Sequence, residues 1–532
     1  MARKKKQTEL DYWQQRNIAA EKRVNDGAKD LEETVVSAYR QAQVYLTRKV
    51  RKLFDRSRQR TGLTAEEAKK ALNERSTISE LTELKQLSNK IDDPLMQQEA
   101  KKKLTSLAFK ERITRAEDLK AKSFLVSKQV ANVQLDKSTE FYIDTIHESY
   151  REATAEAVIR QAQQNAKNGV IIEVWNKKDY QFKELSTRYT KNILGSRWLG
   201  SNYSERIWGD TDALAKRLEE LFTVESMTGM SEFEMAKTIA NEFDRSIGVA
   251  RRLIRTEANY MANQAKLKAW QDRGVEQYML VAVLDLRTSK ICRDKDYKIY
   301  LVSEALVNGK EGTYPPFHPW CRTIAIAYFG KRTLSGTRIA NDPISGKVMT
   351  IKQQDSYDEW MKKLKEKYSD KEIELQKKKV INLTKDNASF KELKLLLGKK
   401  NSPSSLDKYQ EIKYNKPNEW NKLKDNYYVK SRIKSGQFGS VINQEKQAPH
   451  MEATRTTGKS YFHGDINVQH LLSEYAGTGE VEKMLNGRRT TKEMIYLDRI
   501  IGVDGRTGDE VKGIKIHHSK KRTHIVPWKG ES

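Results

Sequence analysis

The sequence predicts a multidomain α+β protein in which long helices come first and a small mixed domain ends the chain. Over most of the first 270 residues, apolar side chains recur every three or four positions, which is typical of packed amphipathic helices. Short β-type runs separated by glycine and proline follow. Six of the eight histidines fall after Asn426, where the composition changes. A chain of 532 residues has room for about three or four domains.

The first predicted segment, residues 1–195, is a helical region. Its clearest apolar stripes are Leu31, Val35, Ala38, Ala42 and Tyr45, and Ile143, Ile146, Tyr150, Ala153 and Ala157. Stripes of this kind need partner helices to bury them. His147 lies on one of these faces, and a lone histidine there indicates packing, so we assign it no function.

The second segment, residues 196–365, is a helical core that ends in a small sheet. Ser231 and Glu234 have the spacing of a capping box, which predicts a helix start. The β-type runs lie at 276–285, 297–302 and 323–329. We therefore expect a small sheet that caps the helices beside a loop containing cysteine and histidine.

The last two segments are a connector and a separate domain. Residues 366–425 are rich in lysine and contain an Asn-Ser-Pro-Ser-Ser stretch, which predicts a helical, solvated linker. Residues 426–532 contain strand-like runs and most of the histidines, and we expect them to form a small α+β domain.

The charge balance favours anionic partners. The chain has 99 Lys and Arg against 72 Asp and Glu, a net charge of +27, which attracts nucleic acid or an anionic surface. The alternative is that the lysines only keep long helices soluble. No apolar run approaches the roughly 20 residues of a membrane span, and residues 1–6 lead into polar sequence. We therefore expect neither a transmembrane helix nor a secretory signal.

Both cysteines lie near a histidine in one short stretch. His318 precedes Cys321 by three residues in a loop stiffened by three prolines, and Cys292 lies upstream. Thiolates and an imidazole suit a structural Zn²⁺, and a carboxylate such as Asp285 would be the fourth ligand. The alternative is that the thiols are small buried apolar groups and that His318 bonds to the backbone.

Five separated motifs in the first two segments occur in an order that a known family shares. They are Tyr12-Trp13-Gln14-Gln15-Arg16, Ser204-Glu205-Arg206-Ile207-Trp208, Arg255-Thr256-Glu257, Asp285 with Thr288, Cys292 and Pro315-Pro316-Phe317-His318-Pro319-Trp320-Cys321-Arg322, and Tyr357-Asp358-Glu359-Trp360. Together they resemble the head-morphogenesis, or minor head protein, family of tailed phages (phage Mu F-like) over roughly residues 10–365. One departure is Thr323, where relatives often carry a further cysteine.

This resemblance implies a location and a set of partners. The family's members are expected in a few copies inside the capsid near the portal. They would contact portal and capsid proteins and packaged double-stranded DNA, and act in head assembly or DNA ejection. The resemblance implies no enzyme activity for this part of the chain.

The terminal domain contains the side chains that RNA cleavage without metal requires. That reaction needs a base for the 2′-OH proton, an acid for the leaving 5′-oxygen, and cations or hydroxyls for the phosphate. Histidines, Arg455 and serine or threonine hydroxyls are all present here. The alternative is a basic binding module whose histidines are ordinary surface residues. His470 lies on a predicted helix and is assigned to packing.

Three stretches of this domain resemble the type-50 polymorphic toxin domain. They are Lys446-Gln447-x-x-His450, Leu472-Ser473-Glu474-Tyr475-Ala476-Gly477-Thr478-Gly479, and His518-Ser519-Lys520-x-x-Thr523-His524-Ile525-Val526-Pro527. The resemblance covers residues 440–528 and implies a small α+β nuclease with the barnase, EndoU, colicin and RelE-like RNase fold. It implies that His450 and His524 are base and acid, in either order, and that Arg455, Ser519 and Thr523 bind the phosphate. Two departures are His518, where relatives tend to have tyrosine, and Arg522 in place of a small residue.

The sequence thus predicts a phage minor head protein with a fused metal-independent endoribonuclease domain that acts on RNA. It would be made in the host cytoplasm, carried in the virion, and delivered with the DNA. Two alternatives stay open. One is a free nuclease effector with a helical delivery scaffold, and the other is a purely structural DNA-binding head protein with an inactive terminal domain.

Overall fold

A computed structural model describes residues 9–56, 63–110, 112–167, 184–330, 337–352 and 355–530. Residues 1–6, where we expect no secretory signal, lie outside the described residues, as do the side chains of the motif at 12–15. Within the described part, no helix combines the length and the apolar character needed to cross a membrane.

The helices begin early and dominate the chain. In chain order they are α1 Glu9–Arg56, α2 Ala65–Asn73, α3 Ile78–Ser88, α4 Pro94–Ala108, α5 Arg115–Lys167, α6 Thr187–Gly195, α7 Tyr203–Glu220, α8 Val224–Met227, α9 Glu232–Asp272, α10 Lys290–Lys295, α11 Tyr357–Lys365, α12 Asp370–Ile381, α13 Leu383–Leu397, α14 Leu406–Asn415, α15 Pro417–Lys434, α16 Gln444–Gln447 and α17 Val468–Tyr475.

The strands are short, and within the described residues they pair with one another in antiparallel fashion. They are β1 Gln277–Val281, β2 Ile299–Leu301, β3 Ile324–Ala327, β4 Thr337–Asn341, β5 Val348–Lys352, β6 Tyr461–Phe462, β7 Glu480–Lys483, β8 Arg489–Tyr496, β9 Gly502–Val503, β10 Glu510–Val511, β11 Gly513–His517 and β12 His524–Trp528. The sheet orders are β2-β1-β3, β4-β5, β10-β9-β6 and β12-β11-β8-β7. This helix-rich architecture with small antiparallel sheets confirms the predicted multidomain α+β class.

The chain divides into two compact units. The first comprises Met1–Lys49, Lys70–Ser226 and Thr238–Gln376, and the second comprises Val50–Lys69, Met227–Lys237 and Lys377–Ser532. The predicted segment boundaries at 195, 365 and 425 stay predictions.

In the first unit, long helices bury apolar stripes close to those expected. The buried stripe of α1 runs through Leu31, Val35, Tyr39, Ala42 and Leu46. It shares Leu31, Val35 and Ala42 with the expected stripe. It replaces the other two positions by Tyr39 and Leu46, because a helix of 3.6 residues per turn drifts relative to a strict seven-residue repeat. On α5, Ile146, Tyr150, Ala153 and Ala157 are buried as expected, whereas Ile143 of the same predicted stripe is only half-buried.

In the second unit, the described apolar side chains form separate buried clusters. Helices within the Lys-rich segment surround a buried cluster of Phe390, Leu393, Leu397, Tyr409, Ile412 and Leu423. The terminal part has its own core, built from one face of the four-stranded sheet, strands β6, β9 and β10 and helix α17. Its fully buried members include Phe462, Leu471, Ile514, Ile516 and Ile525.

Candidate functional site

The four-stranded terminal sheet has one buried face and one open face. Strand β11 lies between β8 and β12, and His517 is aligned with Lys492 on one side and His524 on the other. Successive side chains of a strand point to opposite faces, so these three lie on the face opposite the buried Ile516. Lys515, two residues from His517, shares that open face.

His450 joins this face from outside the sheet. The side chain of Gln447 binds the backbone of β12 at both ends: its amide nitrogen donates to the Ile525 carbonyl (3.0 Å) and its oxygen accepts from the Ile525 N–H (2.9 Å). This pairing fixes the 3-10 turn Ala448–His450 beside the edge strand. The His450 and His524 rings consequently stack with centroids 6.1 Å apart. We call His450, His517, His524, Lys492 and Lys515 the histidine face.

The backbone determines which nitrogen of each histidine points into the site. The Nδ1 of His450 lies 2.7 Å from the Ser460 carbonyl, and the Nδ1 of His524 lies 3.2 Å from the Arg522 carbonyl. A carbonyl only accepts, so each Nδ1 carries a hydrogen and each Nε2 is left for chemistry. Burial, with a smaller contribution from His524, lowers the pKa of His450, which favours the neutral ring at pH 7.

His517 is a site residue that the sequence interpretation missed. Its ring stacks on His524 with centroids 4.7 Å apart. Burial, followed by the positive charges expected on His524 and Lys492, lowers the pKa of His517 to about 4. His517 could have been found by pairing the strands on either side of the turn at 518–523, because this pairing aligns His517 with His524.

The predicted phosphate ligands lie in different surroundings. Arg455 is exposed, with its guanidinium carbon 4.5 Å above the Tyr461 ring. The Thr523 hydroxyl is fully buried and donates to the Ser519 carbonyl at 2.7 Å, while the Ser519 N–H donates back to it at 3.1 Å. Ser519 and Thr523 therefore close the turn between β11 and β12, and the Thr523 hydroxyl already has backbone partners. Their role as phosphate ligands stays a prediction.

His518 points away from this face into the core. Its Nε2 lies 2.8 Å from the Glu493 carboxylate, and both side chains are buried. The same carboxylate accepts hydrogen bonds from the N–H groups of Gly477 and Gly479. The His518 ring stacks on Phe438 with centroids 4.7 Å apart. His518, one of the two departures from the toxin family, thus forms a buried, hydrogen-bonded pair with Glu493.

A second cluster lies in the first unit, where Cys292, His318 and Cys321 converge; we call it the Cys/His cluster. The Ser289 hydroxyl caps α10 by accepting from the Cys292 N–H, which fixes that cysteine. Trp320 has φ 65°, and this left-handed residue closes a turn in which the Cys321 N–H donates to the His318 carbonyl at 3.1 Å. The cysteine sulfurs are 3.8 Å apart, and His318 Nε2 lies 3.0 Å from the Cys292 sulfur.

The electrostatics of the Cys/His cluster favour a thiolate. Hydrogen bonding from Cys321, and then from His318, lowers the pKa of Cys292 to about 4. The hydrogen bond between His318 and Cys292 raises the pKa of His318, whereas burial raises the pKa of Cys321. The ligand atoms of all three residues lie within 4.8 Å of one another, the only such group in the described residues. A thiolate, a second thiol and an imidazole are the donors that zinc prefers.

The structure does not bring Asp285 to this cluster. Both oxygens of its carboxylate are bound by the Arg322 guanidinium, one of them at 2.8 Å. Although burial opposes the shift, Arg322 lowers the pKa of Asp285. The expected fourth zinc ligand is therefore held in a bidentate ion pair with the arginine that follows Cys321.

Two of the shared motifs meet through Glu257. This buried carboxylate is bound by the Arg206 guanidinium and by the Trp198 indole N–H at 3.0 Å. The neighbouring Thr256 hydroxyl accepts from the Trp320 N–H at 3.0 Å, which ties α9 to the Cys/His loop. These residues thus have a structural task in holding the loop in place.

The class of protein follows from these two parts: a helical module with a Cys/His loop, joined in one chain to a small α+β module with a histidine-bearing sheet face. Residues 216–326 match the family model described as Phage Mu protein F like protein, and residues 442–527 match the model described as Bacterial toxin 50. Both predicted resemblances are confirmed, although the phage match is shorter than the predicted 10–365. Neither a curated protein nor a solved structure gives a significant match. The two matches support a phage head-type protein with a toxin domain.

Proposed function

We propose that this chain is a virion-borne phage head protein whose terminal module is a metal-independent endoribonuclease. The observation that carries the proposal is the histidine face within the toxin-matching segment. Two histidine rings have centroids 6.1 Å apart, each binds a carbonyl through Nδ1 and leaves Nε2 without a bond to any described residue, and two lysines lie beside them. Lys492 and Lys515 share the single carboxylate of Glu482, at 3.1 and 3.6 Å, so the face keeps a positive charge for a phosphate.

The proposed reaction is transesterification at an RNA phosphate. The Nε2 of His450 takes the proton of the 2′-OH, and the 2′-oxygen forms a bond to phosphorus. The bond from phosphorus to the 5′-oxygen breaks, and the Nε2–H of His524 gives its proton to that oxygen. The products are a 2′,3′-cyclic phosphate and a 5′-OH, and the lysines stabilise the charge that develops on the phosphate.

The assignment of base and acid follows from the surroundings of the two rings. A base must be neutral before it acts, and burial lowers the pKa of His450. His517, neutral at pH 7 because of its pKa of about 4, can stack on His524 without repelling an imidazolium. His524 is therefore the proton donor in this scheme, and His517 positions it.

The head-type part is proposed to act inside the particle. Its match at residues 216–326 and the net charge of +27 support contacts with portal and capsid proteins and with packaged DNA. We infer that the Cys/His cluster holds one Zn²⁺ as a structural ion that ties its loop to α10, through Cys292, His318 and Cys321. Delivery of the nuclease with the genome would be the purpose of the fusion.

The nuclease proposal is tested on the full chain in the presence of EDTA. Wild type should cleave a single-stranded RNA, and His524→Ala should lower kcat by about 100-fold or more. His470→Ala is the matched control. The sequence assigned His470 to packing, but its side chain is exposed on α17 and pairs with Glu474 at 3.3 Å. Equal activity of His524→Ala and wild type would remove His524 from the mechanism, and cleavage that stops in EDTA would overturn the metal-free reaction.

The virion proposal is tested on purified, DNA-filled particles. Peptide mass spectrometry should find peptides from 184–330 and from 442–527 in equal amount. Absence of both would contradict the virion location and favour a free nuclease effector. Loss of only the terminal peptides would show that the nuclease is removed before packaging.

A further inference from the structure

The open sheet face continues past the histidines to an aromatic pair. Gly513 in β11 is aligned with Tyr496 in β8 and with Trp528 in β12. The two rings meet across this glycine, with centroids 5.1 Å apart and planes tilted by 45°. A Cβ at Gly513 would lie 3.2 Å from the Trp528 ring and 2.5 Å from its carbonyl oxygen. The absence of a side chain therefore lets two aromatic rings from non-adjacent strands come together.

This aromatic pair is exposed and lies beside a cation. Tyr496 is 65% exposed, so its ring is accessible to a ligand. The ammonium of Lys515 lies 5.4 Å from the centre of the Trp528 ring. Aromatic faces next to a lysine are what single-stranded nucleic-acid sites use, because a base stacks on the ring and the cation meets the backbone.

The aromatic pair, Lys515 and the histidines follow one another along the strands, as a base, the next phosphate and the cleaved phosphate follow one another along RNA. Gly513 with its two aromatic neighbours comes first, Lys515 comes two residues later, and His517 with His524 two residues after that. Four residues of strand span about 13 Å. The aromatic pair is therefore too far from the reacting phosphate to stack the base at the cleaved bond, and it reaches a base further along the strand.

We propose that Tyr496 and Trp528 form a stacking subsite for an unpaired base of the substrate, with Lys515 at the phosphate between that base and the cleaved bond. The proposal rests on the nuclease function above and makes it more specific: the substrate is single-stranded RNA with at least one unstacked base one nucleotide beyond the two that flank the cleaved bond. A paired base is already stacked in its helix and cannot lie on the rings, so duplex RNA is a poor substrate.

The main alternative is that the rings only cover Gly513. Aromatic side chains do shield glycines in sheets. If that were their whole role, removing Tyr496 would change the stability of the module and leave substrate affinity unchanged. Substrate affinity is therefore the quantity to measure.

The test uses the full chain and short single-stranded RNA oligonucleotides. Tyr496→Ala should raise KM by about 5- to 100-fold, the range of one lost base stack, while kcat changes little. Tyr496→Phe keeps the ring and should restore the wild-type KM. Leu485→Ala, a fully exposed apolar residue at the β7–β8 turn of the same module, is the control and should leave KM unchanged. If Tyr496→Ala fails to fold, Trp528→Phe against Trp528→Leu provides the same ring-dependent comparison.

A second arm separates the possible outcomes. An oligonucleotide with one abasic residue, placed one nucleotide beyond the two that flank the cleaved bond, should bind wild type as weakly as normal RNA binds Tyr496→Ala. If wild type cleaves RNA, and neither Tyr496→Ala nor the abasic residue raises KM, the subsite would be overturned and the nuclease would remain. Equal cleavage of duplex and single-stranded RNA would also overturn the subsite. A wild type that cleaves no RNA would overturn the nuclease proposal and, with it, the subsite.

Discussion

The Cys/His cluster and the histidine face each bring three ligand-type side chains together, but in opposite surroundings. In the first, both cysteines are buried and His318 Nε2 lies 3.0 Å from the Cys292 sulfur. In the second, the His517 and His524 rings stack 4.7 Å apart on an open face that also carries Lys492 and Lys515. Thiolate chemistry in the first cluster favours a cation, whereas the lysines of the second favour an anion.

The comparison shows that residue type alone does not decide what a site binds. Histidine occurs in both clusters, yet its pKa moves in opposite directions. The bond to the Cys292 sulfur raises the pKa of His318, whereas burial next to other positive groups lowers that of His517 to about 4. A histidine next to a thiolate suits metal binding, whereas a neutral histidine in a positive patch, such as His517, can stack on a neighbouring ring without adding charge.

The largest effect that would sharpen this comparison is the loss of the proposed base. His450→Ala should lower kcat for RNA by about 100- to 10,000-fold, because it removes the group proposed to take the 2′-OH proton. Free imidazole in the buffer should restore part of the activity. Single-turnover cleavage rates check this, and unchanged rates would assign the base to another residue.

The second effect concerns the metal. Wild type should contain about one zinc ion per chain. Cys321→Ser should lower that content to well below one, because the two remaining protein ligands are too few to hold the ion. Elemental analysis of the purified full chain measures it. Since the proposed cleavage reaction uses no metal, the same variant should cleave RNA at the wild-type rate. Absence of zinc from wild type would mean that the thiols only pack.

The third effect is a pH dependence of stability in the histidine face. The folded-state pKa of His517, about 4, lies below its ordinary value of 6.5, so the unfolded chain binds the extra proton first as the pH falls. The stability that the neutral ring provides is complete above about pH 6.5 and is lost between there and about pH 4. We expect a loss of about 2 kcal/mol, reduced from the full shift because the ring is partly solvated. Hydrogen exchange of the β11 amides in wild type and in His517→Gln measures this loss. As the pH falls from about 6.5 to about 4, the variant should lose less stability than wild type.

The smallest effect separates Asp285 from the metal. Asp285→Asn removes the charge that pairs with Arg322 and should cost about 1 kcal/mol, because the pair is only partly buried. Zinc content should stay unchanged. A loss of zinc in this variant would restore Asp285 as a ligand, and calorimetry with metal analysis on the same sample distinguishes the two results.

Local patterns predicted much of the fold. The apolar periodicity of α1 and α5 and the β-type runs of β1 to β3 lie where the sequence predicted them. The capping box of Ser231 and Glu234 forms, with the Glu234 N–H donating to the Ser231 hydroxyl at 3.3 Å. The buried apolar cluster around Phe390 and Tyr409 was harder to see, because the lysines between its members dominate the composition.

The candidate sites were predicted less completely, because they depend on pairing across the chain. His450 and His524 are 74 positions apart, and only the toxin resemblance joined them before the structure did. His517 went unnoticed because its position depends on strand register. Asp285 was expected at the metal because carboxylates bind zinc, but the guanidinium of Arg322, one residue after Cys321, holds it instead.

The most direct test of the central claim compares two oligonucleotides that differ at one sugar. The full chain, in EDTA, is incubated with an oligonucleotide that has a single ribonucleotide in a DNA strand and with its all-deoxy counterpart, and the products are weighed by mass spectrometry. We predict cleavage only after the ribonucleotide, leaving a 2′,3′-cyclic phosphate. Cleavage of the all-deoxy strand, or no cleavage of either strand and of plain RNA, would contradict a nuclease that uses the 2′-OH through His450 and His524.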